Sequence, residues 1–215
     1  MVLGAVLAYV RPVSTAISLD NTGIFLLALA AEVLTGYALG LVGYVFFAAI
    51  QLAGQLIDMQ MGFGIVNVLD PQSGMQVPLV GSLYYLLALL IFLGIDGHHQ
   101  LLSAVYQSYD VIPILGGNFQ PGFTEFLVKL AGYMFVMGVK LAAPIVAALL
   151  VADAALGFMA RTVPQMNIFL VGMPLKILGG IFMLLLTLPV YVWLIQAVFT
   201  QLFRYLDQAL YFLAG

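Results

Sequence analysis

The chain has 215 residues, of which 64% are hydrophobic and only 7% are charged, and its net charge is −3. Soluble domains carry roughly 25% charged residues, so this composition excludes an ordinary soluble domain and indicates an integral membrane chain. Cysteine is absent, which excludes disulfides and thiol catalysis, and no run of Lys or Arg points to nucleic acid as a partner. We expect an all-α protein with one domain over residues 1–215.

The first predicted elements are two apolar segments of very different length. Residues 2–18 form a short run interrupted by Arg11-Pro12, whereas residues 22–57 are apolar almost throughout. As one straight helix the second segment would be about 54 Å long, well beyond a hydrocarbon core of about 30 Å. It must therefore tilt, kink or leave the bilayer.

A glutamate and three glycines mark one face of this long helix. Glu32 is followed by Gly36, Gly40 and Gly43 at helical spacing. Small residues in such a row allow a neighbouring helix to approach closely. We expect this face to be a helix-packing surface, with Glu32 bonding across the contact rather than relaying protons.

Polar side chains gather near the end of the same helix. Gln51, Gln55 and Asp58 follow one another at i, i+4 and i+7, so they share a face. Two interpretations remain open. The three residues either form hydrogen bonds between helices or line an aqueous path to the loop that follows.

That loop, residues 59–78, is the most informative stretch of the chain. Its sequence is MQMGFGIVNVLDPQSGMQVP, with Asp70 as its only charged residue. Irregular backbone cannot face lipid with its polar groups unsatisfied, so the loop should be buried in protein or plug a cavity. Met59, Met61 and Met75 bracket the glycines, and their adaptable side chains suit either core filling or a seal that deforms and re-forms.

The rest of the chain repeats this organisation of long helices and irregular connectors. The expected helices are 79–95, the short amphipathic 100–111, 123–161 with Pro144 inside it, and 177–213 with Pro189 inside it. The expected connectors are Asp96-Gly97-His98-His99, then 113–122, then 162–176. We therefore expect membrane-type helical hairpins with long kinked helices and buried irregular connectors.

The remaining charged and polar residues favour structural roles over catalysis. Glu125 and Lys129 should pair at i, i+4, and Asp153 and Arg161 should form a structural bridge. His98 and His99 lack further ligands at metal-site spacing, so we expect neither a metal nor a cofactor. Since no catalytic motif appears, we do not expect an enzyme, whereas a small secondary transporter using Glu32 and Asp58 stays open.

Five motifs resemble the FliR family of flagellar biosynthesis proteins. They are EVLTGYALG (32–40), AGQLIDMQMGFG (53–64), LDPQSG (69–74), GHHQLL (97–102) and ARTVPQMNIFLVGMPLKI (160–177). The chain also resembles, less closely, the counterpart of FliR in the injectisome type III secretion apparatus. Members usually begin with a further hydrophobic helix, which this chain is expected to lack.

The resemblance implies a subunit of the export gate in the flagellar basal body, in the bacterial inner membrane. Its implied partners are FliP-like and FliQ-like subunits, an FlhB-like subunit, and exported flagellar proteins in transit. In the family, the loop matching residues 62–75 helps to close the central pore. The implied plug residues are Gly62, Phe63, Gly64, Ile65, Val66, Asn67, Val68, Leu69, Asp70 and Pro71, with Gly62 and Gly64 as its flexible base.

A second family motif lies in the expected connector before the last helix. Its matching residues are Arg161, Pro164, Gln165, Asn167, Phe169, Gly172, Pro174 and Lys176. The resemblance marks this connector as a second candidate functional segment.

Overall fold

The computed structural model describes residues 22–63, 78–112, 122–163, 165 and 167–214, without the side chains of 168 and 169. These residues form five helices: α1 (Thr22–Met61), α2 (Leu79–Gly94), α3 (Gly97–Val111), α4 (Phe123–Thr162) and α5 (Ile168–Ala214). The described part of the chain contains no strand. The expected all-α, membrane-type fold is confirmed.

Several helix ends differ from the expected ones. α1 continues to Met61, so Met59 and Met61 belong to the helix and not to the loop. α3 begins at Gly97, because only Ile95 and Asp96 make the break, and Asp96 has a left-handed backbone at φ 56°. α5 begins at Ile168 and passes through Pro174, so most of the expected connector 162–176 is helical.

The chain divides into two compact units, and α1, α4 and α5 each contribute to both. The described residues of the first unit lie in 22–44, 96–112, 122–129 and 201–214. Phe126 packs there against Tyr205 and Phe212, with ring centroids 5.9 and 5.6 Å away. The expectation of one domain stays a prediction.

The second unit, residues 45–95 and 130–200, holds an aromatic core. Phe47, Phe92 and Phe199 form a triangle with ring centroids 5.0 to 5.5 Å apart. The Tyr191 hydroxyl donates to the Tyr84 carbonyl oxygen at 3.1 Å, so its polar group is satisfied inside the core. These contacts join α1, α2 and α5.

Three helices, α1, α4 and α5, are long and apolar enough to cross a membrane. With 40, 40 and 47 residues, each is about 60 Å long or more, about twice a hydrocarbon core. Large apolar side chains remain exposed along them, including Leu27, Leu185 and Trp193 at 66 to 68%. Such surfaces need lipid or other protein chains to cover them.

Candidate functional site at the loop base

Helix α1 ends in a hydrogen-bonded turn immediately before residues 64–77. Gly62 has φ 93°, and its N–H donates to the Met59 carbonyl oxygen at 3.3 Å. The Phe63 N–H donates to the Asp58 carbonyl oxygen at 3.1 Å. This pair of bonds is the Schellman motif, which glycine favours because a Cβ opposes a positive φ. Gly62 therefore lies in a defined turn, and its role as a flexible base of the loop stays a prediction.

The side chain of Asp58 caps the next helix, α2. Its carboxylate is 6% exposed and accepts the Val80 N–H at 3.0 and 3.1 Å and the Gly81 N–H at 3.1 Å. Pro78, the residue at the N-cap position, makes no side-chain capping bond. A carboxylate at a helix N-terminus satisfies free N–H groups and interacts favourably with the helix dipole. Asp58 thus supplies from α1 the cap that α2 lacks locally.

Asp58 consequently holds the chain on both sides of residues 64–77. Its carbonyl oxygen binds Phe63, where the chain leaves α1, and its carboxylate binds Val80 and Gly81, where the chain enters α2. We call the set Asp58, Gly62, Phe63, Val80 and Gly81 the loop base. The described residues on the two sides of 64–77 are therefore both held by Asp58.

Two glycines bring α2 close enough to reach Asp58. A Cβ on Gly54 would lie 2.2 Å from the Cα of Gly81, so only glycine fits there. Because Gly54 and Asp58 are four residues apart, they lie on the same face of α1. The close approach at Gly54 brings the first N–H groups of α2 within hydrogen-bonding distance of the Asp58 carboxylate.

A polar cluster ties the end of α1 to α4 and α5. The Asp153 carboxylate accepts a hydrogen bond from Gln60 Nε2 at 2.7 Å and forms an ion pair with Lys176 Nζ at 2.8 Å. The side chains of Lys176 and Asp153 are 21% and 38% exposed, so the pair is partly shielded from solvent. The expected Asp153–Arg161 bridge is wrong, because Lys176 from α5 takes the carboxylate and Arg161 is exposed.

The predicted residues around the loop base fall into different environments. Met61 is fully buried, whereas Met59 is 69% exposed. Gln51 and Gln55 are exposed, so only Asp58 of the predicted polar face forms a bond between helices. Met75 and the plug residues Gly64, Ile65, Val66, Asn67, Val68, Leu69, Asp70 and Pro71 lie outside the described residues.

The second connector is shorter than expected because α5 already begins at Ile168, with Asn167 capping its first turn. The Leu170 N–H donates to the Asn167 carbonyl oxygen at 3.1 Å and lies 3.4 Å from its Oδ1. Gly172, Pro174 and Lys176 are therefore helical, Gln165 is exposed, and Arg161 lies in the last turn of α4. Pro164 and the side chain of Phe169 lie outside the described residues.

The glycine face of α1 has no packing partner among the described residues. A Cβ at Gly36, Gly40 or Gly43 would meet nothing within 4 Å. The expected helix contact is therefore not made by another described segment of this chain, and it stays a prediction for some other surface.

One cluster of described side chains has the composition of a metal site. The ligand atoms of Asp96, His98 and His99 all lie within 4.8 Å of one another. His99 Nδ1 is 3.3 Å from the Asp96 carboxylate, and both side chains are exposed. These residues are the ones that can hold a metal, and the expectation of none stays a prediction.

Sequence reasoning missed Gln60, Gly54 and Gly81 at this site. Gln60 follows Asp58 closely in sequence but points to a partner 93 positions away, which no local pattern reveals. Gly54 carried a usable signal, because it precedes Asp58 by one helical turn on the same face.

Comparison with known proteins gives one consistent match. Residues 1–202 match the family model described as bacterial export proteins, family 1. The flagellar biosynthetic protein FliR of Bacillus subtilis (strain 168) is 42% identical over 186 residues, covering 85% of this chain and 72% of that protein. FliR of Pectobacterium carotovorum is 35% identical over 196 residues, covering 89% and 75% of the two chains. FliR of Escherichia coli K12 is 33% identical over 175 residues, covering 81% and 67%.

Proposed function

This chain belongs to family 1 of the bacterial export proteins, and from that premise we propose that it helps to form and close the flagellar protein export channel. Membership and the FliR relatives make it a membrane-embedded component of the flagellar export apparatus. We propose in addition that the chain helps to close the channel. This role requires no catalysis.

The observation that carries the proposal is the anchoring of residues 64–77 at the loop base. Asp58 binds the chain at Phe63 and again at Val80, so both ends of the segment are fixed to one residue. The segment is rich in apolar residues, with Asp70 as its only charge. A closing element must yield to a passing chain and then return to the same place. The bonds of Asp58 to Phe63 and Val80 supply the fixed flanks, and we propose that the apolar residues between them supply the part that yields.

The polar cluster supports the same role by holding the anchor itself in place. Gln60 lies between Asp58 and Gly62, and Asp153 fixes it while also binding Lys176. Force on the segment is thereby transmitted to α4 and α5 as well as to α1. Lys176 belongs to the family motif at residues 160–177, so part of that motif has a structural role next to the loop base.

The proposed partners follow from the exposed apolar surface and the family. We propose FliP-like, FliQ-like and FlhB-like subunits as neighbours, the bacterial inner membrane as the location, and unfolded flagellar proteins as the cargo. The transporter alternative needs isolated carboxylates at Glu32 and Asp58. Asp58 is not isolated, because it accepts bonds from two backbone N–H groups.

The test replaces Ile65, Val66, Val68 and Leu69 with serine and keeps the length of the segment. A second variant deletes residues 65–69. Both variants leave the loop base intact, so complexes should assemble in normal amounts but conduct small ions in proteoliposomes. A variant complex that is fully assembled and as tight as the parent would contradict the role in closure. Restoration of motility in a strain lacking its own FliR tests the flagellar role separately.

A further inference from the structure

A cavity of about 470 Å³ lies in the first unit, between α1, α3 and the last part of α5. Its wall is mainly apolar and includes Leu39, Leu101 and Leu206. Thr35 and Ser108 also line it, but their hydroxyls donate to the carbonyl oxygens of Ala31 and Val105 at 3.0 and 2.7 Å. Their donors are therefore satisfied within their own helices.

Two other groups lining this cavity are not satisfied by the described residues. The Glu32 carboxylate accepts no hydrogen bond and forms no ion pair with any described residue. The Nδ1 atom of His98 is buried and also lacks a partner among them. A carboxylate on an apolar helix is costly unless it is paired, and buried polar atoms are almost always hydrogen-bonded. The Glu32 carboxylate therefore lacks a group that donates hydrogen bonds and carries positive charge.

An open track for a helix runs from the cavity along α1. Gly36 and Gly40 line the cavity, and Gly43 continues the same face. A Cβ at each of the three would meet no other atom within 4 Å, so the surface is flat and unoccupied by the described chain. Small residues at this spacing favour close contact between apolar helices.

We propose that this face binds an apolar helix of a partner polypeptide, and that one Lys or Arg of that helix enters the cavity and pairs with Glu32. The inference rests on the proposed function, because it assumes assembly with other membrane subunits. Arginine fits best, since its several N–H donors can serve both oxygens of the Glu32 carboxylate. A lipid tail would fill the apolar wall but leave both polar groups unpaired.

The first test identifies what lies on the track in the assembled complex. A photo-reactive amino acid replaces Gly43, where the structure shows open space, and Gly132 of α4, which is equally open, serves as the control position. We expect the Gly43 position to be linked to a partner peptide with a Lys or Arg within about one helical turn of the linked residue. A lipid adduct alone, a link to residues 1–21 of this chain, a peptide without a basic residue, or no adduct would each overturn the proposal.

The second test reverses the charges. E32K should lower the amount of assembled complex by about ten-fold or more, because it places like charges together in an apolar site. Changing the identified basic residue of the partner to Glu should restore assembly. E125K is the matched control, since Glu125 is an exposed carboxylate paired only with Lys129 on the same helix, and it should assemble normally. Normal assembly of E32K, or a failure of the reversed partner to restore it, would overturn the pairing.

The two proposals fail separately. If the proposed pairing of Glu32 is wrong, the E32K complex will assemble normally, and its tightness to ions will still depend on residues 65–69. If the proposed role in closure is wrong, the complex will stay tight to ions after residues 65–69 are changed, and the cross-link at Gly43 will be unaffected.

Discussion

At the scale of single residues, loss of the Asp58 side chain should destabilise the first turn of α2. D58A leaves the Val80 and Gly81 N–H groups without their acceptor, whereas D207N removes a carboxylate from an exposed position on α5. Loss of a capping carboxylate costs about 1 to 2 kcal/mol. We expect amide hydrogen exchange in the first turn of α2 to accelerate by about ten-fold in D58A, since ten-fold corresponds to about 1.4 kcal/mol. Unchanged exchange there would show that Asp58 does not cap α2.

Gly54 gives a second prediction at this scale, because its replacement tests the close approach of α1 and α2. In G54A the new Cβ would meet the Gly81 backbone, so the helices must separate. Overpacking of this kind destabilises by about 1 to 3 kcal/mol. G132A is the matched control, because its Cβ meets nothing within 4 Å and alanine favours a helix. Thermal unfolding of the purified complex should show a lower Tm for G54A alone, and equal losses in both variants would contradict the contact.

At the scale of helices, the Asp153–Lys176 pair should couple α4 to α5. A double-mutant cycle with D153N and K176Q should give an interaction energy of about 0.5 to 3 kcal/mol, because the pair is partly shielded and also binds Gln60. The same cycle on the exposed Glu125–Lys129 pair should give little or nothing. The measurement is the free energy of unfolding of the four proteins in each cycle. Equal coupling in the two pairs would remove the proposed link between α5 and the loop base.

The sequence predicted the helices well and their connections less well. The lengths of the apolar runs and the Gly, Pro and polar residues between them predicted the ends of α2 and α4 within one or two residues. In an apolar setting, a run of apolar residues must form a helix to satisfy its backbone. The connector before α5 was predicted too long, because the helix begins before Gly172 and Pro174 and tolerates both.

The bonds at the loop base were harder to foresee than the helices. The i, i+4, i+7 pattern correctly grouped Asp58 with its face but could not tell that Gln51 and Gln55 stay exposed. The partners of Asp58 and Asp153 lie 22 and 23 residues away or more. Such distant partners depend on how helices pack, which spacing within one helix does not contain.

At the scale of the whole molecule, the exposed apolar surface predicts an obligate subunit. Side chains such as Leu170, Phe158 and Val151 are 71 to 76% exposed in the isolated chain. We expect the protein expressed alone to aggregate or to be degraded, and co-expression with FliP-like subunits to recover it. Size-exclusion chromatography in mild detergent measures this. A stable, monodisperse monomer would contradict the expectation.

The anchoring by Asp58 also has a consequence for how this protein can be lengthened. Because the helices are held together at Phe63 and Val80, the number of residues between these points does not set the helix positions. The entropic cost of closing a chain segment grows slowly with its length, by about 0.6 kcal/mol for each doubling. An epitope or a reporter peptide inserted within residues 64–77 should therefore leave the helices at the loop base folded, even where it abolishes closure.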